Sequence, residues 1–311
     1  MSPWIPTRID GKIRTIAWLS LISEITIIGT GGAVRLTGSG LGCPTWPACT
    51  PGSLIPTSEM GIHGVIEFAN RLMTGVIGII AIVAVVLLWR LRRQRRDLFV
   101  LALVLIGGIV AQALVGGVTV LTGLNPFIVG FHYIASLLMV CVAAVLVYRV
   151  YTPVGARIRI VPAAFAGLTH ATSFFVAVTI AVGVLTTASG PHSGDLDAGR
   201  SGFNVELLEH LHAWPAYVML ALTIGLLAAS VARRLPTTPW LAALLLVEGI
   251  QICVGLIQAN FGLPPLLVGT HMVLASILAA VMTVVILSLK AVTDAPPLTS
   301  AATAEPVLSA R

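Results

Sequence analysis

Seven histidines occur in this chain, and His132, His212 and His271 each fall a few residues inside a long apolar run. An ionisable side chain in such a run is costly unless it is satisfied or put to use. For one isolated histidine, a hydrogen bond to a neighbouring helix is explanation enough. Here the residue recurs. Gln112–Leu138 (QALVGGVTVLTGLNPFIVGFHYIASLL) is echoed by Gln251–Leu278 (QICVGLIQANFGLPPLLVGTHMVLASIL). Gln112 and Gln251, Gly116 and Gly255, Pro126 and Pro265, Gly130 and Gly269, and His132 and His271 are all 139 positions apart, and Ser136 and Ser276 are 140 apart. His212 sits at a similar depth in a run travelling the opposite way, so antiparallel neighbours can bring it to His271 across a bundle interior. Two neutral imidazoles on opposite sides of a macrocycle are one way to hold a haem iron. His210 lies two residues from His212, about 200° around a helix, and cannot share that role. The matching position in the first half is Asn70.

A second constellation surrounds Glu67. His63, Glu67 and Asn70 are spaced by four and three, which places them on one helix face. A buried carboxylate there suits proton transfer; the plainer role is an ion pair with Arg71 or Arg35 that holds the bundle entrance together. Arg35 and Arg71 also suit bidentate contacts to haem propionates, with snorkelling to the interface as the alternative. Glu209 is the counterpart of Glu67. Glu24 and Glu248 fall within apolar runs and read as helix–helix hydrogen-bonding groups. His192, in the turn-rich string Gly190-Pro191-His192-Ser193-Gly194-Asp195, reads as a surface residue or a cap on the second site.

The elements that must position these groups are legible from composition. Of the 311 residues, 57% are hydrophobic and only 10% charged, with mean hydropathy +0.99; a soluble domain carries about 25% charged residues. Apolar stretches of about 20 residues read as membrane spans, here at 15–35, 65–89, 98–120, 127–149, 161–187, 204–232, 239–259 and 266–289. The first span follows a basic stretch but has no clean cleavage site, so it reads as a helix and not a signal peptide. The net charge of +6 does not indicate a nucleic-acid binder. Most of the basic residues gather in alternate connections: Arg8, Lys12 and Arg14; Arg90 to Arg96; Arg149, Arg157 and Arg159; Arg233 and Arg234; Lys290. That asymmetry marks those connections as cytoplasmic and puts both termini there. Cys43 and Cys49 share a loop on the opposite, extracytoplasmic side, which permits a disulfide; two free thiols are the alternative. Cys141 and Cys253 read as packing residues.

The expected fold is all-α integral membrane, with eight transmembrane helices as two repeated four-helix bundles. Residues 1–150 form the N-terminal bundle and 151–290 the C-terminal one, related by an axis along the membrane normal. Residues 291–311, rich in Ala, Pro, Thr and Ser, read as a disordered cytoplasmic tail.

Several strings resemble the haem A synthase family. The loop from Gly32 through Arg35 and Gly40 to Cys43 and Cys49 is similar to that family's most specific signature. Glu67 with Arg71, Gln112 with Gly116, His132, the Gly190–Asp195 loop, and His212 with His271 fall in matching places, so the likeness covers roughly residues 15 to 290. It implies a haem b held by His212 and His271 in the second half. It also implies a substrate site for haem O in the first half, with Glu67 and His132, where a methyl group is oxidised to the formyl group of haem A for cytochrome oxidase assembly. The Cys43–Cys49 pair marks one subgroup of the family. Asn70 departs from the usual Glu-x-x-His-Arg pattern, so either His132 binds alone or His63 substitutes. Implied partners are the farnesyltransferase that makes haem O, an electron acceptor, and a second copy of the chain in a homo-oligomer. The rival readings are a duplicated b-type cytochrome for quinol-linked electron transfer, which would want two complete histidine pairs, and a transporter, which would want broken helices at mid-membrane.

Overall fold

Each apolar run becomes a helix because, in a bilayer, only intra-segment hydrogen bonds satisfy the backbone. The computed structural model describes residues 5–292. Among them are α1 (Gly11–Leu36), α2 (Gly61–Leu88), α3 (Arg96–Leu121), α4 (Pro126–Val150), α5 (Ala163–Ser189), α6 (Val205–Ala232), α7 (Thr238–Asn260) and α8 (Pro265–Leu287). All eight are long and apolar enough to cross a membrane, and the protein is an all-α integral membrane protein. Local chemistry sets the ends. Asp10 caps α1 through the Ile13 amide, Asn125 caps α4 through Phe127 and Ile128, and Asn204 caps α6 through Leu207. The Asp10 cap starts α1 four residues before the expected span, because a capping carboxylate extends a helix past its apolar part.

The connections alternate between two ends. The long α1–α2 and α5–α6 loops share one end with the short α3–α4 and α7–α8 turns. These two turns are built alike: Gly123–Leu124 and Gly262–Leu263 all have positive φ, with Leu124 at 58° and Leu263 at 58°. At the other end, β1 (Arg157–Arg159) pairs antiparallel with β2 (Lys290–Val292). This ribbon corrects the expectation of a tail disordered from residue 291, since the backbone of Ala291 and Val292 pairs with Ile158 and Arg157. The remainder of that segment, 293–311, lies outside the described residues.

Helices α1 to α4 pack in a ring, α1 on α2, α2 on α3, α3 on α4 and α4 on α1, and α5 to α8 repeat the pattern. The two sets meet through α4 on α8, α1 on α8 and α4 on α5. Exchanging the sets swaps the last two contacts and maps the first onto itself. The Tyr133 hydroxyl donates to the Met272 carbonyl at 3.2 Å and that of Tyr148 to the Leu287 carbonyl at 3.5 Å. Both bonds join positions 139 apart, so Tyr133 meets its own repeat counterpart and Tyr148 a residue within one of its own, as residues near a two-fold axis do.

The packed core fills the ribbon end. Ile13, Leu88, Leu98, Leu105, Val140 and Leu146 form it in the first set, and Phe165, Met219, Leu241, Leu244 and Val285 in the second. Outer faces carry exposed Ile79, Leu138, Phe174 and Leu246, which suits contact with lipid. The long-loop end of the bundle is left unfilled by this core.

Candidate functional site

At that end a cavity of about 610 Å³ is lined by residues from all eight helices, within the usual range for ligand pockets. His132, His212 and His271 all reach it, as do Glu67, Asn70, Arg35, Arg71 and His192; His63 and His210 do not.

In the second set of helices, the rings of His212 and His271 stand 6.1 Å apart between centroids, at 68°. His212 donates from Nδ1 to the Thr179 carbonyl at 2.8 Å, which leaves its Nε2 with a free lone pair. Ligating histidines are commonly oriented by such a bond to a carbonyl. Glycines make room for the rings. A Cβ on Gly183 would stand 2.7 Å from His212 Cε1, and one on Gly255 3.1 Å from His271 Cε1. Gln251 Nε2 donates to the His271 carbonyl at 3.1 Å, while His271 Nδ1 is buried without a partner.

The first set reproduces half of this arrangement. His132 packs over Gly116, where a Cβ would meet its Cε1 at 3.5 Å. Gln112 Nε2 donates to the His132 carbonyl at 3.0 Å and also meets Ser136 Oγ. His132 Nδ1 is again buried and unpartnered. Where α6 offers His212, α2 offers Asn70, whose Oδ1 accepts from Thr30 Oγ1 at 2.7 Å. His63 is exposed and bonds through Nδ1 to Ser39 Oγ at 2.9 Å. The option that His63 replaces the missing imidazole therefore lacks support. One turn before Glu67, it lies beyond the cavity wall.

Glu67 and Arg71 clamp the first long loop. Cys43 and Cys49 are joined by a disulfide, and both are fully buried. The Cys43 amide donates to Glu67 Oε2, and Arg71 Nη2 donates to Glu67 Oε1 and, at 2.9 Å, to the Cys43 carbonyl. Arg71 Nη1 reaches the Ala48 carbonyl at 3.3 Å. Between the alternatives for Glu67, the ion pair with Arg71 is present, and the carboxylate still faces the cavity. Arg35 instead crosses to the other set, donating from Nε to the His192 carbonyl at 2.7 Å and from Nη2 to that of Thr187 at 2.9 Å. His192 is half-buried, and its Nε2 donates to the Leu263 carbonyl at 2.9 Å, so it caps this end rather than lying free on the surface.

Sequence reasoning missed two contributors. Trp46 lies on Gly117 and, with Pro47, forms part of the cavity wall; the doubled Gly116-Gly117 was its only signal. Gly183 stands outside the repeated string, and nothing in the spacing marks it.

Fold and site together define a polytopic membrane protein with imidazoles gathered in a cavity at one end of its helices. Residues 14–192 match the family model described as "Cytochrome oxidase assembly protein" (COX15-CtaA), and the chain belongs to that family. It is 39% identical over 129 residues to a protein named "Heme A synthase" from Lysinibacillus sphaericus (strain C3-41), a match covering 40% of this chain and 41% of that one. It is 33% identical over 129 residues to a protein of the same name from Bacillus cereus (strain AH187), with the same coverage of 40% and 41%. A further such protein, from Listeria welshimeri, is 29% identical over 128 residues, 41% of each chain. The matches thus span about two fifths of the length of these relatives.

Proposed function

We propose that this protein is a haem A synthase, which oxidises the C8 methyl group of haem O to the formyl group of haem A for cytochrome oxidase assembly. The observation that carries this reading is the His212–His271 pair. Two imidazole–metal bonds of about 2 Å plus two ring radii come to about 6 Å between ring centres, and the rings stand 6.1 Å apart. The orphaned His271 Nδ1 and the glycines under both rings fit a built ligand site better than a packed core. On this reading residues 1–150 form the substrate bundle and 151–290 the haem b bundle. The ring-like packing of each helix set and the Tyr133 bond between repeat counterparts support that division.

Haem b, held by His212 and His271, would supply one-electron redox chemistry. The substrate, haem O, would enter the first-half cavity and be held by His132 on one face, with Asn70 leaving the other face open. Two successive hydroxylations of the methyl carbon, with oxygen from water, four protons released and four electrons passed to an external acceptor, followed by loss of one water, would yield the formyl group. Glu67, kept in place by Arg71 and the Cys43 amide, is assigned to proton transfer at the edge of the substrate. Arg35 and Arg71 spend donors on loop carbonyls, so their part in the substrate site is to hold the long loops over it. The disulfide-bonded loop, with Trp46 beneath it, roofs the first-half cavity and excludes water. The basic residues at the ribbon end support an orientation in the plasma membrane with that end and both termini cytoplasmic and the haem sites near the extracytoplasmic face. A membrane farnesyltransferase making haem O and a separate electron acceptor are the partners this chemistry needs.

Co-expression with a source of haem O, followed by haem extraction, tests the reading. Haem A should appear with the native chain and disappear with H132A or E67A. Haem b without haem A in the native protein would instead assign a b-type cytochrome.

A further inference from the structure

Below the second-half histidines, the cavity ends on a carboxylate that the sequence reads only as a helix–helix hydrogen-bonding group. Glu248 lies near the middle of α7, is 0% exposed, and contributes to the cavity wall. Its Oε1 accepts from Thr223 Oγ1 on α6 at 2.8 Å, whereas Oε2 is buried with no partner. Gln251, one turn on, gives its Nε2 to the His271 carbonyl and leaves its own Oε1 buried and unpartnered. Glu248, Gln251 and Gly255 are spaced by three and four and share one helix face. Gly255 is the residue over which the His271 ring packs. One stripe of α7 thus leads from the carboxylate to the imidazole over seven residues, about 10 Å along the axis.

This group has too few donors. Two oxygens, Glu248 Oε2 and Gln251 Oε1, are both acceptors and both orphaned. A carboxylate left charged and half-satisfied at mid-membrane is strongly disfavoured. A single proton on Oε2 removes the uncompensated charge and turns one of the two orphaned acceptors into a donor. We propose that Glu248 is a redox-linked proton site, taking up a proton when the metal group between His212 and His271 is reduced and releasing it on oxidation.

The inference rests on the haem reading given above. One electron from an external one-electron reductant converts ferric to ferrous iron, and one proton moves from bulk water to the Glu248 carboxylate, so the net charge of the buried site is unchanged. A unit charge placed about 10–15 Å away, at an effective dielectric of about 20, alters proton affinity roughly tenfold. On the helices packed against α7, the ionisable residues lining the cavity are Glu209, His212 and Tyr217 on α6 and His271 on α8. None of these side chains hydrogen-bonds to Glu248, which accepts from Thr223 Oγ1.

Equilibrium redox titration of the purified, haem-loaded protein over a series of pH values tests the assignment. In the native protein the midpoint potential should fall as pH rises. In E248Q, at equal haem content, most of that dependence should vanish. T223V removes the donor that favours the charged carboxylate, so the pH range of the dependence should move upward. A potential independent of pH in the native protein, or the same pH dependence in E248Q, overturns the proposal; if E248Q does not assemble, an unchanged profile in T223V does so. Haem retained after replacement of both His212 and His271 is a separate result, which removes the haem reading itself.

Discussion

A methyl group added at Gly183 has nowhere to go, because its carbon would stand 2.7 Å from Cε1 of His212. Gly183→Ala should therefore turn the imidazole away and lower haem affinity about tenfold, a cost of about 1.4 kcal/mol, measurable by haem titration of the stripped protein. Gly75→Ala, with open space around its added carbon, should leave affinity unchanged. Asn70 is the opposite case, an amide on α2 where α6 carries His212. Asn70→His should convert the first-half haem from one protein ligand to two, read as a change from high-spin to low-spin absorption; an unchanged spectrum would show that α2 does not face the iron. Glu67→Gln removes the charge that Arg71 and the Cys43 amide share, and bonds to charged groups contribute about 1.5–3 kcal/mol. The buried Cys43–Cys49 disulfide should then be reduced by mild thiol at least tenfold faster, followed by alkylation and mass measurement. At this scale the sequence was informative where residues recur. His132, His271, Gln112 and Gln251 were all visible through the repeat, and Gln112 and Gln251 prove to hold the histidine carbonyls. It was uninformative where a contact joins unrelated strings, as for Gly183 beneath His212 or Arg35 on the His192 carbonyl.

Among the elements, α4 and α8 hold the two helix sets together. They do so through bonds between counterparts or near-counterparts, so Tyr133→Phe removes one link and keeps the packing. Interhelical hydrogen bonds in membranes contribute about 0.6 kcal/mol on average, so Y133F should unfold at only slightly lower denaturant. A large loss would mean that the two sets depend on this bond far more than on packing. The eight helices were legible because a bilayer demands long apolar runs, and their ends were missed by a few residues where caps such as Asp10 act. The β1–β2 ribbon was not legible. Three-residue strands joining positions more than a hundred apart leave no periodicity to read, and the composition of 290–292 resembles that of the tail beyond it.

For the whole molecule, the uneven distribution of function follows from the uneven distribution of packing. Buried aliphatic residues fill the ribbon end, and the space left at the long-loop end is lined by residues from all eight helices, seven of which bring an imidazole, amide or carboxylate group to it. Duplication explains why the two sides share glutamine, glycine and histidine at equal spacing. Asn70 stands where the second side has His212, and on the proposed function this difference suits one side to permanent binding and the other to passage of a substrate. The measurement that bears most directly on this account is the absorption spectrum and extracted haem content of the detergent-purified chain, native and with His212 and His271 both replaced by alanine. The account predicts a low-spin haem b signal in the native protein that is lost in the double variant while haem O or haem A remains bound through His132. A native preparation without colour under ample haem supply, or a double variant that keeps its haem b, would contradict it.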